Sequence, residues 1–381
     1  MKVLINAKKL APILSELSRI PPSRSTLPIL MNALLVAKED GTLRITTTDL
    51  NMTMTRVIAA EIKEPGTATV PIARINELVS VFPDQIVALK FDDKKNVLKV
   101  SCAGTKSDLK TIPAMDFPNV EPTGKPLFSI DLDASELMSA LREVVFAASE
   151  EISRPILQGI MFDIATDKIK LAGADGFRLA WRELTLSTKE KPEAKFTILA
   201  EGVREIIKML SGQENVNIKV WTGMNHIKFS VDNAEMLVVA LNGDYPDFSP
   251  MFDKFKERTT KVAVPIGAFS NACRACAVIA KDTAYITKMS VASPNGNEMG
   301  SIVMSAIGSE IGSAESSVDA AVTGETIEVG INLKMVQEIL SALSDGELSI
   351  ELLGNTNPMV FRPVGRDDYW SVIMPMQVPG L

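Results

Sequence analysis

A chain of 381 residues is longer than the roughly 100 to 200 residues of one domain, so two or three compact units are expected. Its apolar fraction of 46% is that of a globular protein, no apolar run nears the roughly 18 residues of a membrane span, and three cysteines (Cys102, Cys273, Cys276) exclude a disulfide framework. The net charge of −7 speaks against a general affinity for nucleic acid, but its distribution is uneven. Residues 1–126 hold 17 Lys and Arg against 13 Asp and Glu; residues 127–257 hold 15 against 21, and residues 258–381 hold 8 against 13. A basic first third and an acidic last third attract across a head-to-tail contact between two copies.

Met1 to Ile20 carries Lys2, Lys8, Lys9, Glu16 and Arg19 at helical spacing and lacks the apolar centre of a signal peptide, which reads as a soluble, cytoplasmic protein. Leu10, Ile13, Leu14 and Leu17 align on one face and predict an amphipathic helix. Then come Leu27-Pro28-Ile29-Leu30, a strand from Ala33 to Val36, an Asp40-Gly41 turn, a strand from Thr42 to Thr47, and Thr48-Asp49-Leu50. A strand from Ala68 to Val70 leads into a second helix carrying Ile75, Leu78, Val79 and Phe82, and the third closes on Asp116-Phe117-Pro118.

The middle third repeats this order. Its first helix carries Leu137, Ala140, Leu141 and Val144, with Asp133 or Ser135 available as a cap. Arg154-Pro155-Ile156-Leu157-Gln158-Gly159 precedes a strand from Ile160 to Ile164, a Thr166-Asp167 turn, a strand from Lys168 to Leu171, and Ala174-Asp175-Gly176-Phe177-Arg178-Leu179-Ala180-Trp181. Pro28 and Pro155 lie 127 positions apart, and Asp49 and Asp175 lie 126 apart, about a third of the chain. A strand from Lys195 to Leu199 leads into a helix with Val203, Ile206, Ile207 and Leu210, and Asp244-Tyr245-Pro246 matches the earlier closing turn at a distance of 128.

In the last third, Phe269, Ala272, Cys273 and Cys276 mark the first helix; a strand from Thr326 to Ile331 leads into the second, with Val336, Ile339, Leu340 and Leu343. Ser305 to Gly324, rich in Ser, Gly and Ala, reads as either a weak edge strand or a loop. Alternation such as Ile227-Lys228-Phe229-Ser230-Val231 indicates sheets with one covered face. The fold class is α+β: three tandem domains, 1–126, 127–257 and 258–381, each with two helices on antiparallel sheets.

Catalytic chemistry is hard to find. His226 is the sole histidine and sits in a hairpin turn, which argues against a nucleophile–His pair. Cys273-Arg274-Ala275-Cys276 spells C-x-x-C, but both sulfurs fall on the apolar stripe of a helix and read as buried. No second Cys or His pair completes a zinc site. Gly104-Thr105-Lys106-Ser107 lacks the first glycine of a phosphate loop, and Asp49 and Asp175, each without a second carboxylate, suit turn stabilisation. The sequence reads as a binding protein, neither an enzyme nor dependent on a cofactor or metal.

Five motifs, Thr26-Leu27-Pro28-Ile29-Leu30, Arg154-Pro155-Ile156-Leu157, Ala174-Asp175-Gly176-Phe177-Arg178-Leu179-Ala180, Tyr245-Pro246-Asp247-Phe248 and Val372-Ile373-Met374-Pro375-Met376, resemble in order and spacing the bacterial sliding clamps, the beta subunits of DNA polymerase III. The resemblance implies a non-catalytic processivity factor: a head-to-tail homodimer of three-domain protomers closing into a ring around duplex DNA, with helices lining the hole. It tethers the replicative polymerase, the clamp loader and repair proteins through short linear peptides. A basic inner surface then coexists with an acidic exterior, and contacts to phosphate leave sequence unread. The alternative reading is a peptide-binding scaffold without DNA clamping.

By resemblance, the hole-facing cations are Arg24, Arg74, Lys208, Arg274 and Lys334. Family members often carry a basic pair where this chain reads Ala73-Arg74 and Ala200-Glu201, and Glu150 and Glu151 precede Arg154, so DNA contact is expected to be weak and strongly salt-sensitive. The peptide pocket implied by motif position comprises Leu157, Ala174, Gly176, Phe177, Arg178, Leu179, Pro246, Met251, Val372, Met374, Pro375 and Met376. Ala174 and Phe177 stand where members often have Thr and His, and Gln377 where they have a basic residue, which shifts the expected peptides toward apolar ones. Val378-Pro379-Gly380-Leu381 is expected over the pocket edge. For the contact between copies, the strand Lys106 to Ile112 is expected to pair with Glu298 to Met304 of the second copy, around an apolar core of Leu109, Ala277 and Val278.

Overall fold

The computed structural model describes residues 1–186, 192–221, 225–248, 250–251, 257–294, 299–308 and 312–378. The first third runs β1 (Lys2–Asn6), α1 (Ala7–Leu17), β2 (Asn32–Ala37), β3 (Thr42–Thr48), β4 (Met52–Ala59), β5 (Glu61–Glu64), β6 (Gly66–Pro71), α2 (Ile72–Ser80), β7 (Ile86–Asp92), β8 (Val97–Cys102) and β9 (Thr105–Lys110). The middle third runs β10 (Phe128–Asp133), α3 (Ala134–Val145), β11 (Gly159–Ala165), β12 (Lys168–Ala174), β13 (Arg178–Thr185), β14 (Ala194–Leu199), α4 (Ala200–Leu210), β15 (Asn215–Trp221), β16 (His226–Val231) and β17 (Ala234–Val239). The last third runs β18 (Thr260–Pro265), α5 (Ile266–Ala280), β19 (Ile286–Ala292), β20 (Gly300–Gly308), β21 (Gly312–Gly324), β22 (Ile327–Asn332), α6 (Leu333–Ala342), β23 (Glu347–Leu352), β24 (Met359–Pro363) and β25 (Tyr369–Ile373).

The order strand, helix, strands, helix, strands thus recurs three times. Helix starts follow from local chemistry. The Asn6 side chain accepts from the Lys8 N–H at 2.8 Å, and Asn332 accepts from Lys334 and Met335 at 3.0 and 3.2 Å, each meeting orphan donors of a first turn. Two helices are shorter than the periodicity suggests: α2 ends at Ser80 and α6 at Ala342, so Phe82 and Leu343 lie beyond them. Helix α3 starts at Ala134, which puts Ser135 inside it.

The chain forms two compact units. One, Met1–Ser135 with Lys208–Ala240, holds a five-stranded sheet, β5-β1-β7-β8-β9, and an eight-stranded sheet, β10-β15-β16-β17-β4-β3-β2-β6. The other, Glu136–Ile207 with Leu241–Leu381, holds a twelve-stranded sheet, β14-β11-β12-β13-β25-β24-β23-β18-β21-β20-β19-β22. In the first, β4 is completed by β17, the last strand of the middle third, with Met54 opposite Met236. In the second, β13 is completed by β25, the last strand of the final third, with Leu179 opposite Val372. The closing strand of each later third therefore extends the sheet of the third before it.

Within Ser305 to Gly324 the described residues are strand: they belong to β20 and β21, paired from Gly300–Ala320 to Gly308–Gly312, and 309–311 lie outside the described residues. The alternation of β8 buries Leu98, Val100 and Cys102, and α1 and α2 pack on each other through stripes that include Leu10, Leu14, Ile75 and Val79. In the second unit Phe269, Cys273 and Cys276 of α5 join Met289, Ile302 and Ile339 in one core.

That unit also contains a buried charge cluster. Glu143 on α3 is 3% exposed. Its carboxylate receives Arg366 Nη1 and Nη2 at 2.6 and 3.1 Å and lies 2.9 Å from Arg182 Nε, while Asp368 pairs with both arginines. Burial pushes the Arg182 guanidinium below its ordinary range and Glu143 opposes that shift. Removing the carboxylate leaves two cations sharing the single carboxylate of Asp368, with Arg182 Nε still buried. Glu143→Ala is therefore expected to lower unfolding stability by about 3 kcal/mol, read as a shift of the urea midpoint, whereas Glu121→Ala, in an exposed pair with Arg44, changes it by less than about 1 kcal/mol.

Candidate functional site

Four segments converge on one pocket of the second unit, with a cavity of about 250 Å³. The first is the turn after Arg154. Pro155 presets its 3-10 geometry, the Leu157 N–H donates to the Arg154 carbonyl at 3.0 Å, and Leu157 is turned inward, 6% exposed. The second is the connection from β12 to β13. Asp175 Oδ1 accepts from the Phe177 and Arg178 N–H groups at 2.8 and 2.9 Å, an Asx turn that aims Phe177 outward and Leu179 inward. Gly176 adopts φ +95°, and a Cβ there would stand 3.4 Å from Arg154 Nη1. The third segment follows β17: Pro246, Phe248 and Met251, with the Met251 N–H donating to the Phe248 carbonyl at 2.9 Å and Tyr245 edge-on to Phe248 beneath. The fourth is the end of β25, where the Met374 N–H donates to the Phe177 carbonyl at 2.8 Å and ties the rim together.

Ten of the twelve residues expected from motif position line this cavity: Leu157, Ala174, Gly176, Phe177, Arg178, Leu179, Pro246, Met251, Val372 and Met374. Pro375 and Met376 do not. The chain turns away after Met374, and the Met376 N–H donates to the Gly330 carbonyl at 2.9 Å on β22. Gly330 permits this because a Cβ would lie 2.1 Å from the Met376 carbonyl oxygen and 2.6 Å from Val378 Cγ2. Val378 thus lies against β22, and the rest of the segment expected over the pocket edge, 379–381, is outside the described residues. Arg154 and Phe248 also line the pocket. Both stand inside the quoted motifs, but their inward position depends on the turns around them. The wall is apolar except for two arginines, and Arg178 is already engaged. Its Nε donates to Asp175 at 2.9 Å, its Nη1 donates to Glu338 of α6, and its guanidinium lies over the Phe146 ring.

The expected DNA-facing cations are all exposed and carried on helices or a turn. Arg24 lies in the loop before Thr26; Arg74 on α2 pairs with Glu77 at 2.8 Å; Lys208 is on α4; Arg274 on α5 donates to Asn271 at 2.6 Å; Lys334 opens α6. The Arg74 pair is solvent-exposed, and such pairs hold their partners only weakly. Glu201, Glu150 and Glu151 are exposed as well.

The expected contact between copies needs correction in two places. Strand β9 is an open sheet edge, but β20 is flanked by β19 and β21 and has no free side over Ser301–Ser305. The open edge is on β21, where, among the described residues, Gly312–Ala320 is paired only with β20, and β18 joins from Ala321 onward. Ala277 belongs to the core, because α5 turns it inward, while Val278 is 69% exposed and Leu109 half-buried. Glu298 lies outside the described residues.

Residues 1–121, 131–247 and 256–377 match the family models of the N-terminal, central and C-terminal domains of the DNA polymerase III beta subunit. The chain is 28% identical to the beta sliding clamp of Synechococcus elongatus over 385 residues, covering 99% of this chain and all of the relative, and 24% identical to that of Escherichia coli K12 over 380 residues, with the same coverage. Among solved structures, a DNA polymerase sliding clamp from Bacillus subtilis superposes with a TM-score of 0.90 at 22% identity, covering 99% of each chain. A DnaN sliding clamp from Bartonella birtlesii bound to griselimycin gives 0.88 at 26% identity, covering 99% of this chain and all of the other.

The remaining reactive side chains are structural. Cys273 and Cys276 are fully buried, with Cys273 Sγ 3.7 Å from the Met304 sulfur, and burial pushes both thiols above their ordinary range. His226, expected in a hairpin turn, opens β16 opposite Trp221 and is partly exposed, and 222–224 lie outside the described residues. Among the described residues no group of three or more His, Cys, Asp or Glu is placed to hold a metal ion, and no helix is long and apolar enough to cross a membrane. Burial keeps reagent from all three thiols, and the raised pKa of Cys273 and Cys276 leaves those two little thiolate, the reactive form, at pH 8. Cys102, Cys273 and Cys276 are expected to resist an aromatic disulfide reagent at pH 8 in the native protein and to react together in about 6 M urea, as absorbance of the released thiolate would record.

Proposed function

The chain belongs to the family of DNA polymerase III beta subunits, and from that premise we propose how its residues serve a DNA sliding clamp. The protein is a non-catalytic processivity factor: it encircles duplex DNA and tethers the polymerase and other clamp-binding proteins. The observation that carries this reading is the triple repeat in which two strands, β4 and β13, take the closing strand of the following third, while β9 and the Gly312–Ala320 stretch of β21 each keep one side unpaired among the described residues. The repeats correspond to three domains, 1–126, 127–257 and 258–381.

The repeat rule names the missing partner. In the first third β4 takes β17; in the middle third β13 takes β25; in the last third the equivalent strand, β21, has an open edge that the closing strand of a first third, β9, would fill. That β9 belongs to a second copy, so two copies close head to tail. Charge agrees: Lys106 and Lys110 on β9 meet Glu315 and Asp319 on β21, and Leu109 and Val278 supply apolar contact.

Within such a ring, Arg24, Arg74, Lys208, Arg274 and Lys334 are the candidate phosphate contacts. With Glu201, Glu150 and Glu151 nearby in sequence, retention rests on closure more than on attraction. The pocket around Leu157 receives short peptides of polymerase, clamp-loader and repair proteins; its apolar wall and adaptable Met251 and Met374 suit aliphatic and aromatic anchors. The place of work is the cytoplasm.

Two measurements test this. Loaded protein is expected to remain on nicked circular DNA through gel filtration at about 0.5 M salt and to be lost once the DNA is linearised; equal retention on both would refute topological clamping. Glu315→Lys with Asp319→Lys is expected to weaken dimerisation about tenfold or more in sedimentation equilibrium, and Lys106→Glu with Lys110→Glu on the partner to restore it; an unchanged dimer would remove the β9–β21 contact.

A further inference from the structure

We propose that Glu338 of α6 sets the ligand specificity of the pocket: it holds the Arg178 guanidinium in an internal pair, so the pocket takes uncharged, apolar peptide anchors and disfavours those that would place a carboxylate against Arg178. This rests on the pocket reading above and deepens it by naming the residue that decides the class of peptide.

Two arginines line the cavity, and they differ. Arg154 is exposed at the mouth. The Arg178 side chain is 11% exposed and sits between two carboxylates, Asp175 at 2.9 Å from Nε and Glu338 at Nη1, with the Phe146 ring 5.6 Å from the guanidinium carbon. Asp175 is committed to its own turn, where Oδ1 accepts two backbone N–H groups. Its charge cannot be withdrawn without losing the β12–β13 connection. Glu338 has no such duty. It arrives from a different element and is one-third exposed, so its carboxylate is the adjustable member.

One cation between two anions carries a net charge of −1, so the inner wall repels a ligand carboxylate that a lone Arg178 would attract. The pair also occupies donors that would orient a ligand amide or acid. What remains facing the cavity is aliphatic and aromatic, from Leu157, Leu179, Pro246, Phe248 and Val372. A peptide acid finds a favourable place only at the mouth, beside Arg154.

The test uses the full-length dimer and two blocked, fluorescein-labelled octapeptides that share an aliphatic–aromatic anchor and differ only in one flanking residue, Gln or Glu. Anisotropy titrations give the ratio of Kd for the Glu peptide to Kd for the Gln peptide. Wild type is expected to favour the Gln peptide. Glu338→Gln, which keeps shape and hydrogen bonding but removes one charge, lowers the ratio about threefold, and Glu338→Ala, which frees Nη1, lowers it about tenfold. A second reading needs no peptide: modification of Arg178 by phenylglyoxal, mapped by mass spectrometry, rises several-fold in Glu338→Ala. An unchanged ratio in both variants, while Leu157→Asp abolishes binding of both peptides, overturns the role of Glu338 and leaves the pocket reading standing. Failure of either peptide to bind wild type overturns the pocket reading and this inference with it.

Discussion

A strand at the edge of a sheet presents a row of backbone donors and acceptors that must be met by another strand, by water or by a deliberate block. This chain meets most of them from within. The edge of β4 is closed by β17, and that of β13 by β25, a strand some 190 residues away in sequence. Sheet pairing therefore ties the thirds together, and the compact units cut across the repeats: strands β15 to β17 of the middle third share a unit with the first third, while β11 to β14 share one with the last. Three repeats have three such junctions and the chain can close only two. The third is left as a pair of open edges of opposite charge bias, the arrangement that head-to-tail self-association satisfies.

The two closed junctions also explain the Asp49 and Asp175 motifs. Asp49 accepts from the Asn51 and Met52 N–H groups at 2.8 and 2.7 Å, as Asp175 does from Phe177 and Arg178. At the next step, the Asn51 carbonyl accepts from Val239 at 2.8 Å and the Phe177 carbonyl from Met374 at the same distance. The Asx turn sets the carbonyl that receives the closing strand, so a residue that resembles a lone metal ligand is part of the joint between repeats.

This history accounts for what the sequence could and could not convey. Helix stripes, the turn dipeptides and the spacing near 127 depend on short-range chemistry, and the structure follows them except at the ends of α2 and α6, where Phe82 and Leu343 fall outside the helix. Ten of the cavity-lining residues were named in the sequence only through the family resemblance, nine of them inside four of its motifs and Met251 just beyond one. Arg154 and Phe248 were not, since their inward position depends on how separate turns converge. The places of β20 and β21 were invisible for a related reason: both alternate and both carry Ser and Ala, and only the pairing of β20 with β19 on its far side decides which keeps a free edge. The destination of the tail turned on Gly330, whose missing side chain reads in sequence as any strand glycine.

A pocket at the second junction needs more than the shared joint. In the first third the position equivalent to Gly176 is Leu50, which takes φ +79°, a left-handed conformation that costs a side-chain-bearing residue about 1 kcal/mol. Leu50 is half-exposed. Gly176 takes the same sign of φ without that cost and leaves the space beside Arg154 open. The residue after it differs too: Asn51 is small and polar, while Phe177 projects a ring over the rim. One backbone solution, repeated, thus carries an exposed leucine at the first joint and a glycine at the second, where the cavity beside Arg154 opens.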